Sequence, residues 1–317
     1  MMKENQGLSK RTHVVHRNRD NRYQTKMLHA MMLPCVLLLV VYAYLPMVGI
    51  VMAFQKFDIN KGVMAFFTSE WIGPDNFTRM FNMVGFRDAL FNTVNIAVQK
   101  IIFMFFIPII ISLLINEMKR QGYKRSIQTL VYLPHFLSWV ILAGILKDFL
   151  GLNGIINQFI ARSGWETINF LGTPEIFPHI LVWSHVWQEF GWSTIIFLAA
   201  ITGIDPGLYE AAIIDGASRW KQTIHVTIPG MMPIIILSGV LSLGGILNAG
   251  FDQVFNLYSV PVYSTGDIID TLVYRVGVIS GQYSLGAAMG LFKSTASLIL
   301  VSLSYWLAYR FANYQIF

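Results

Sequence analysis

The sequence reads as an all-α polytopic membrane protein with six spans. Three observations lead there. The 317 residues are 55% hydrophobic and only 13% charged, with a mean hydropathy of +0.54, whereas soluble domains carry about 25% charged residues. Six apolar runs each reach the ~20 residues a helix needs to cross the hydrocarbon core. The basic residues are also segregated, with seven Lys and Arg in the first 26 positions, just before the first run. The net charge of +6 therefore reads as a topology signal and not as a nucleic-acid footprint. The single cysteine, Cys35, lies inside an apolar run. That excludes an intrachain disulfide and argues against a Cys-based metal site.

Each element follows in order. Residues 1–26 form a basic tail that anchors topology and meets lipid headgroups. Residues 27–317 form one membrane domain. Its first span, 27–54, is too long for a signal-peptide core and shows no small-residue cleavage site, so it stays in place. It contains Pro34 and Pro46, and the third span contains Pro134. Such breaks are tolerated where neighbouring helices or water re-satisfy the backbone. Segment 55–88 carries Trp71 and the turn signal GPDNF at 73–77, followed by a short helix. The second span is 89–115 and the third 126–149. Segment 151–177 alternates short apolar patches with Gly and Pro and predicts an amphipathic helix near 153–162 along the membrane surface. The remaining spans are 178–203, 229–249 and 284–310. With the N-terminus inside, the inner segments carry 14 Lys and Arg and the outer ones 7. The excess puts both termini in the cytoplasm.

The inner segment between spans four and five is unlike the rest. Asp205 is an N-cap and Pro206 a first helical residue. Leu208, Ala211, Ala212 and Ile214 give the following helix an apolar side, and Asp215-Gly216 ends it. A second helix starts near Ala217 and runs through Trp220 and Ile224 to Pro229, with Pro229 and Pro233 at the entry to span five. The small Ala211 and Ala212 let another backbone approach, and the exposed Glu210 offers a carboxylate that an Arg can fork. The residues alone fit either a docking knob or an ordinary helical loop.

Glu210-Ala211-Ala212, Asp215-Gly216-Ala217 and Ile228-Pro229 together resemble the "EAA" signature of ATP-binding-cassette importer permeases. The resemblance covers all six spans. It is nearest to the permeases for larger or complex oligosaccharides, whose look is shared by YLPHFLSWVILAGI at 132–145. Where the family often has Leu-Pro this chain has Ile228-Pro229, an apolar exchange. The resemblance implies the type I importer permease fold in a bacterial cytoplasmic (inner) membrane, with a coupling loop at about 204–230. It implies that Glu210, Ala211, Ala212 and Gly216 are the contact and turn residues, and that Asp215 caps the second helix or meets the ATPase. It also implies two cytoplasmic ATPase subunits, a second homologous permease chain and an extracytoplasmic solute-binding protein. The chain has no G-x-x-x-x-G-K-[ST] and so no P-loop of its own. No cofactor is expected on this chain, since ATP and its magnesium belong to the ATPase.

Polar groups inside spans are expensive and usually face the bundle interior. Lys100, Glu189 and Lys293 are such groups, and an ion pair between Glu189 and one of the lysines is one reading. In span four, His185, Gln188, Glu189 and Trp192 fall on one helical face, with Trp183 and Trp187 nearby. Aromatic faces flanked by hydrogen-bonding groups suit sugar rings, although tryptophans also form interfacial belts. Asn248, at the end of span five, joins this pathway set, and Asn92, Asn95, Asp252, Gln253 and Asn256 are weaker candidates. Lys100 and His185 would suit an acidic sugar such as a uronate oligomer. His185 and Glu189 do not form H-E-x-x-H, and no metal site is expected. A membrane enzyme would need paired carboxylates, a metal cluster or a nucleophile with its base, and no span supplies one. A channel or secondary transporter usually shows internal repeats, which are missing from the sequence. A permease for peptides or amino acids is the nearest alternative.

Overall fold

A computed structural model describes residues 25–312. The basic tail at 1–24 lies outside the described residues, as does the side chain of Arg310. Five helical stretches are long and apolar enough to cross a membrane, and a bent helix pair makes the sixth. Helix α1 (Thr25–Phe54) loosens into a wide turn at Val40–Tyr44 and a tight 3-10 stretch at Leu45–Phe54, around Pro46. A two-stranded hairpin follows, pairing Gln55 with Trp71 and Lys56 with Glu70. It is a small departure from an all-helical expectation. The buried Asn76 pins it by donating to the carbonyls of Ala53 (3.0 Å) and Gln55 (3.1 Å). Asn76 sits on helix α2 (Asp75–Phe81), which begins inside the expected turn at 73–77.

Helix α3 (Phe86–Asn116) is the second span. The third expected span, 126–149, is not one helix. It is split into α4 (Gln121–Tyr132), a 3-10 turn at Leu133–Phe136 and α5 (Trp139–Leu150). Pro134 lacks the N–H that an α-helix would use there, while Leu133 before it keeps α geometry. Leu137 and Ser138 are extended, and the Ser138 hydroxyl caps α5. Helix α6 (Ile155–Arg162) is the short helix expected near 153–162.

Helix α7 (Phe177–Thr202) is the fourth span and bends by 68° into α8 (Pro206–Ile214). The expected second loop helix and span five are continuous in α9 (Arg219–Leu243), which includes a wide turn at Thr223–Thr227. Pro229 directly follows that wide turn, which absorbs the hydrogen bond a proline cannot donate inside a continuous helix. The helix stops at Leu243, earlier than the expected 249, and 244–250 lead irregularly into α10 (Phe251–Leu257). Helix α11 (Ile269–Val273) and a wide turn at Tyr274–Ile279 precede the last span, α12 (Tyr283–Ala312).

Helices α3 and α7 form the spine. At one end Ile96 and Ala97 meet Leu181, Val182 and Val186, sealed by Val254 and Leu257 of α10. At the other end Ile115 meets Phe197, Leu198 and Ile201, with Met231 of α9. A third cluster joins Met80, Phe86, Leu272, Leu285 and Met289. Gly191 permits the closest crossing, because a Cβ there would lie 2.0 Å from the Val131 carbonyl oxygen of α4. By contrast, residues 25–48 of α1 are exposed throughout, as a lipid-facing or partner-facing helix is.

Candidate functional site

A cavity of about 350 Å³ opens between α3, α7 and the irregular end of α9. Its lining brings together four residues singled out from the sequence: Lys100, His185, Glu189 and Asn248. Ser242, Gly245 and Gly250 complete the polar side.

Lys100 is 4% exposed. Its ammonium donates to the Ala249 carbonyl (2.6 Å) and to Gln253 Oε1. Gln253 is held in turn by donating to the Leu181 carbonyl (2.7 Å) and the Ser184 hydroxyl (2.8 Å) of α7. Among the described residues Lys100 forms no ion pair. Its partners are neutral acceptors, so a basic nitrogen held by two fixed partners borders the cavity. Neither lysine pairs with Glu189. Lys293 is bonded to Asp270 of α11 (2.7 Å), and Glu189 Oε2 is bonded to Nδ1 of His135 at 2.9 Å.

His135 was not evident from the sequence. The 3-10 turn at Leu133–Phe136 aims it at α7, where its ring stacks on Trp192 with centroids 4.6 Å apart and planes 8° apart. Trp139 lies parallel to His185 one step along, at 6.4 Å. Gln188 is buried and donates to the Leu137 carbonyl (3.0 Å), tying the break to α7. Trp183 and Trp187 do not line this cavity. At 100° per residue they project about 160° from His185 and Glu189, and they border a separate apolar recess with Leu146, Leu150 and Ile180. Trp183 packs there against Phe103 at 4.6 Å. Of the weaker candidates, Asn92 is buried and bonded to the Ser264 carbonyl (3.0 Å), and Asn95 accepts from Gln99 (3.2 Å). Asn256 bonds to the Asp252 carbonyl (2.7 Å).

On the far side of the bend, Asp205 accepts from the Gly207 N–H at 2.9 Å and starts α8 as expected. The helix ends in a double cap, with Gly216 N–H bonded to the Ile213 carbonyl and Ala217 N–H to that of Ala212. Gly216 has φ +74°, a left-handed conformation that glycine adopts freely. Ser218, not Asp215, caps the following helix, accepting from the Lys221 N–H. Asp215 lies three residues before that cap and instead closes α8. The two limbs are tied by the Tyr209 and Thr227 hydroxyls at 3.0 Å. Arg219 reaches Glu117, at the end of α3, at 3.4 Å. Glu210, Ala211, Asp215 and Gly216 are exposed and Ala212 is half-buried, beside the exposed Leu208, Ile213, Ile214 and Trp220. This is an apolar surface carrying the carboxylates of Glu210 and Asp215.

Residues 104–313, well over half of the chain, match the family described as "Binding-protein-dependent transport system inner membrane component". The chain belongs to this family. It is a multi-pass inner-membrane permease of the ATP-binding-cassette importer class, and the loop at 205–229 is the family's EAA loop. The permease is 40% identical over 295 residues to the polygalacturonan/rhamnogalacturonan transport system permease protein YteP of Bacillus subtilis (strain 168), covering 93% of this chain and 91% of the relative. It is 39% identical to Protein LplB of the same organism, covering 92% and 91%. Among solved structures it resembles a bacterial ABC transporter involved in the import of the acidic polysaccharide alginate. There the TM-score is 0.85 at 35% identity, over 93% of this permease and 99% of that chain. A second structure, of the bacterial alginate transporter in complex with an alginate pentasaccharide-bound periplasmic protein, matches with TM-score 0.82 over 92% and 96%.

Proposed function

We propose that the permease carries an acidic oligosaccharide, of the uronate-oligomer class, from a solute-binding protein into the cytoplasm by alternating access. The carrying observation is Lys100, a buried basic side chain fixed at the cavity wall by neutral acceptors alone. A charge held out of water without a counter-charge is costly, and an incoming carboxylate supplies one. The names of its relatives support the same class: polygalacturonan and alginate are both polymers of acidic sugars. Within this reading Lys100, His185, Glu189 and Asn248 line the path, and the Trp192–His135 stack stands behind Glu189, outside the lining. Trp183 and Trp187 serve packing beside the second recess.

The remaining parts belong to the same proposal. The exposed apolar surface of α8, with Glu210, Ala211 and Ala212 on it, docks against one of two ATPase subunits, which bind the ATP and magnesium. Gly216 sets the turn, and Asp215 stands at its edge. A second homologous permease chain completes the path, and both termini lie in the cytoplasm.

The test is uptake of trigalacturonate by the complete importer in proteoliposomes. Lys100→Gln keeps a hydrogen-bond donor, on a side chain one atom shorter, but removes the charge. Because a hydrogen bond to a charged group is worth roughly 1.5–3 kcal/mol, the variant should transport about tenfold or more slowly. Equal uptake by wild type and variant, or a wild type that accepts only neutral oligosaccharides, would overturn the proposal.

A further inference from the structure

The cavity holds an apparent contradiction. A path for anions has a carboxylate, Glu189, in its wall, on the same cavity as Lys100 yet not bonded to it. Left bare, that carboxylate would repel an acidic sugar and cancel the field of Lys100. The structure contains a device that answers this. The Leu133–Ser138 break interrupts what would otherwise be a straight span, and its one polar side chain facing α7, His135, is bonded to Glu189. His135 is not itself among the cavity-lining residues. It stands behind Glu189, and its ring is fixed by the parallel Trp192. The break is fixed independently, by Gln188 on the Leu137 carbonyl and by the close approach of Val131 to Gly191.

We infer that His135 is a positioning residue for the path: by engaging Glu189 it withdraws that carboxylate, so that Lys100 is the charge an acidic sugar meets. A neutral imidazole does this by donating its Nδ1–H, and a protonated one also neutralises the charge. The remaining titratable groups on the cavity wall are Lys100 and His185. The inference rests on the acidic-oligosaccharide reading above and adds a selectivity role for a residue outside the cavity surface.

The experiment is a rescue. The whole importer is reconstituted with wild type, His135→Ala, His135→Gln and the double variant His135→Ala/Glu189→Gln, and trigalacturonate uptake is measured as KM and kcat. Removing His135 alone should cost about tenfold in kcat/KM, the scale of one uncompensated charge interaction. His135→Gln, which can still donate to Glu189, should lose less. The double variant should recover to within about twofold of wild type, because no carboxylate remains to be withdrawn. A residue that merely supports the break would leave the single and double variants equally impaired, and that result would overturn the inference, as would a His135→Ala importer that behaves as wild type. If wild type fails to take up the acidic sugar, the underlying reading falls first and this one with it. Co-purification of each variant with its partner subunits shows that assembly is intact.

Discussion

At the residue scale, Gly191 and His135 carry most of the structural consequence. Gly191 stands where α4 crosses α7, with the Val131 carbonyl in the place a side chain would fill. Gly191→Ala should therefore force the crossing apart and lower stability by about 1–3 kcal/mol, read as a lower thermal midpoint in detergent. An unchanged midpoint would mean that the crossing yields freely. Gly144→Ala, where nothing lies within 4 Å, is the matched control and should not lower it. Such residues also mark what the sequence could disclose. Lys100 and Glu189 stood out because charges inside apolar runs are rare. Gln253 stood out only as one weak candidate among several and His135 not at all, because Lys100 is bonded to a backbone carbonyl and an amide, and His135 lies 54 positions from Glu189. Pairing across that distance leaves no local pattern. The placement of Trp183 and Trp187 was legible: counting 100° per residue separates them from His185, and only treating neighbours in sequence as neighbours in space hid it.

At the element scale, the loop between α7 and α9 was legible nearly in full. Caps and glycine turns are local chemistry, which neighbouring residues dictate. The exception was the cap of the second limb, where Ser218 and Asp215 were both suitable oxygens and the turn geometry chose between them. Gly216→Val should strain this turn by roughly 1–2 kcal/mol and reorient α8. Glu210→Ala should leave the turn intact but weaken the docking proposed for it. Both should reduce uptake per ATP hydrolysed while the variants still assemble with their partners, measured by parallel phosphate-release and uptake assays. Full coupling in both would leave α8 as an ordinary connector. The break expected at Pro134 in the third span is larger than the sequence discloses, because the apolar pattern continues across the extended Leu137 and Ser138. Hydropathy reports burial in lipid, which the 3-10 turn shares, and not the direction of the chain.

At the scale of the whole molecule, the inner excess of basic residues makes a prediction of its own. In a Cys35→Ser background, Val84→Cys and Ile214→Cys put thiols at positions 95% and 86% exposed on opposite sides of the spans. An impermeant maleimide added outside intact cells should label position 84 and spare 214. The reverse pattern would invert the topology, and labelling of both would break it. The continuous α9 has a further consequence for such a molecule. Its 25 residues make a rod about 37 Å long, so tilting it by about 10° swings its far tip by roughly 6 Å. One end carries Arg219 in the loop and the other stops beside Ser242, Gly245 and Asn248 on the cavity wall. The doorway to the sugar's path and the grip for whatever drives it are two ends of one lever, with the wide turn at Thr223–Thr227 and the interior Pro233 as its joints.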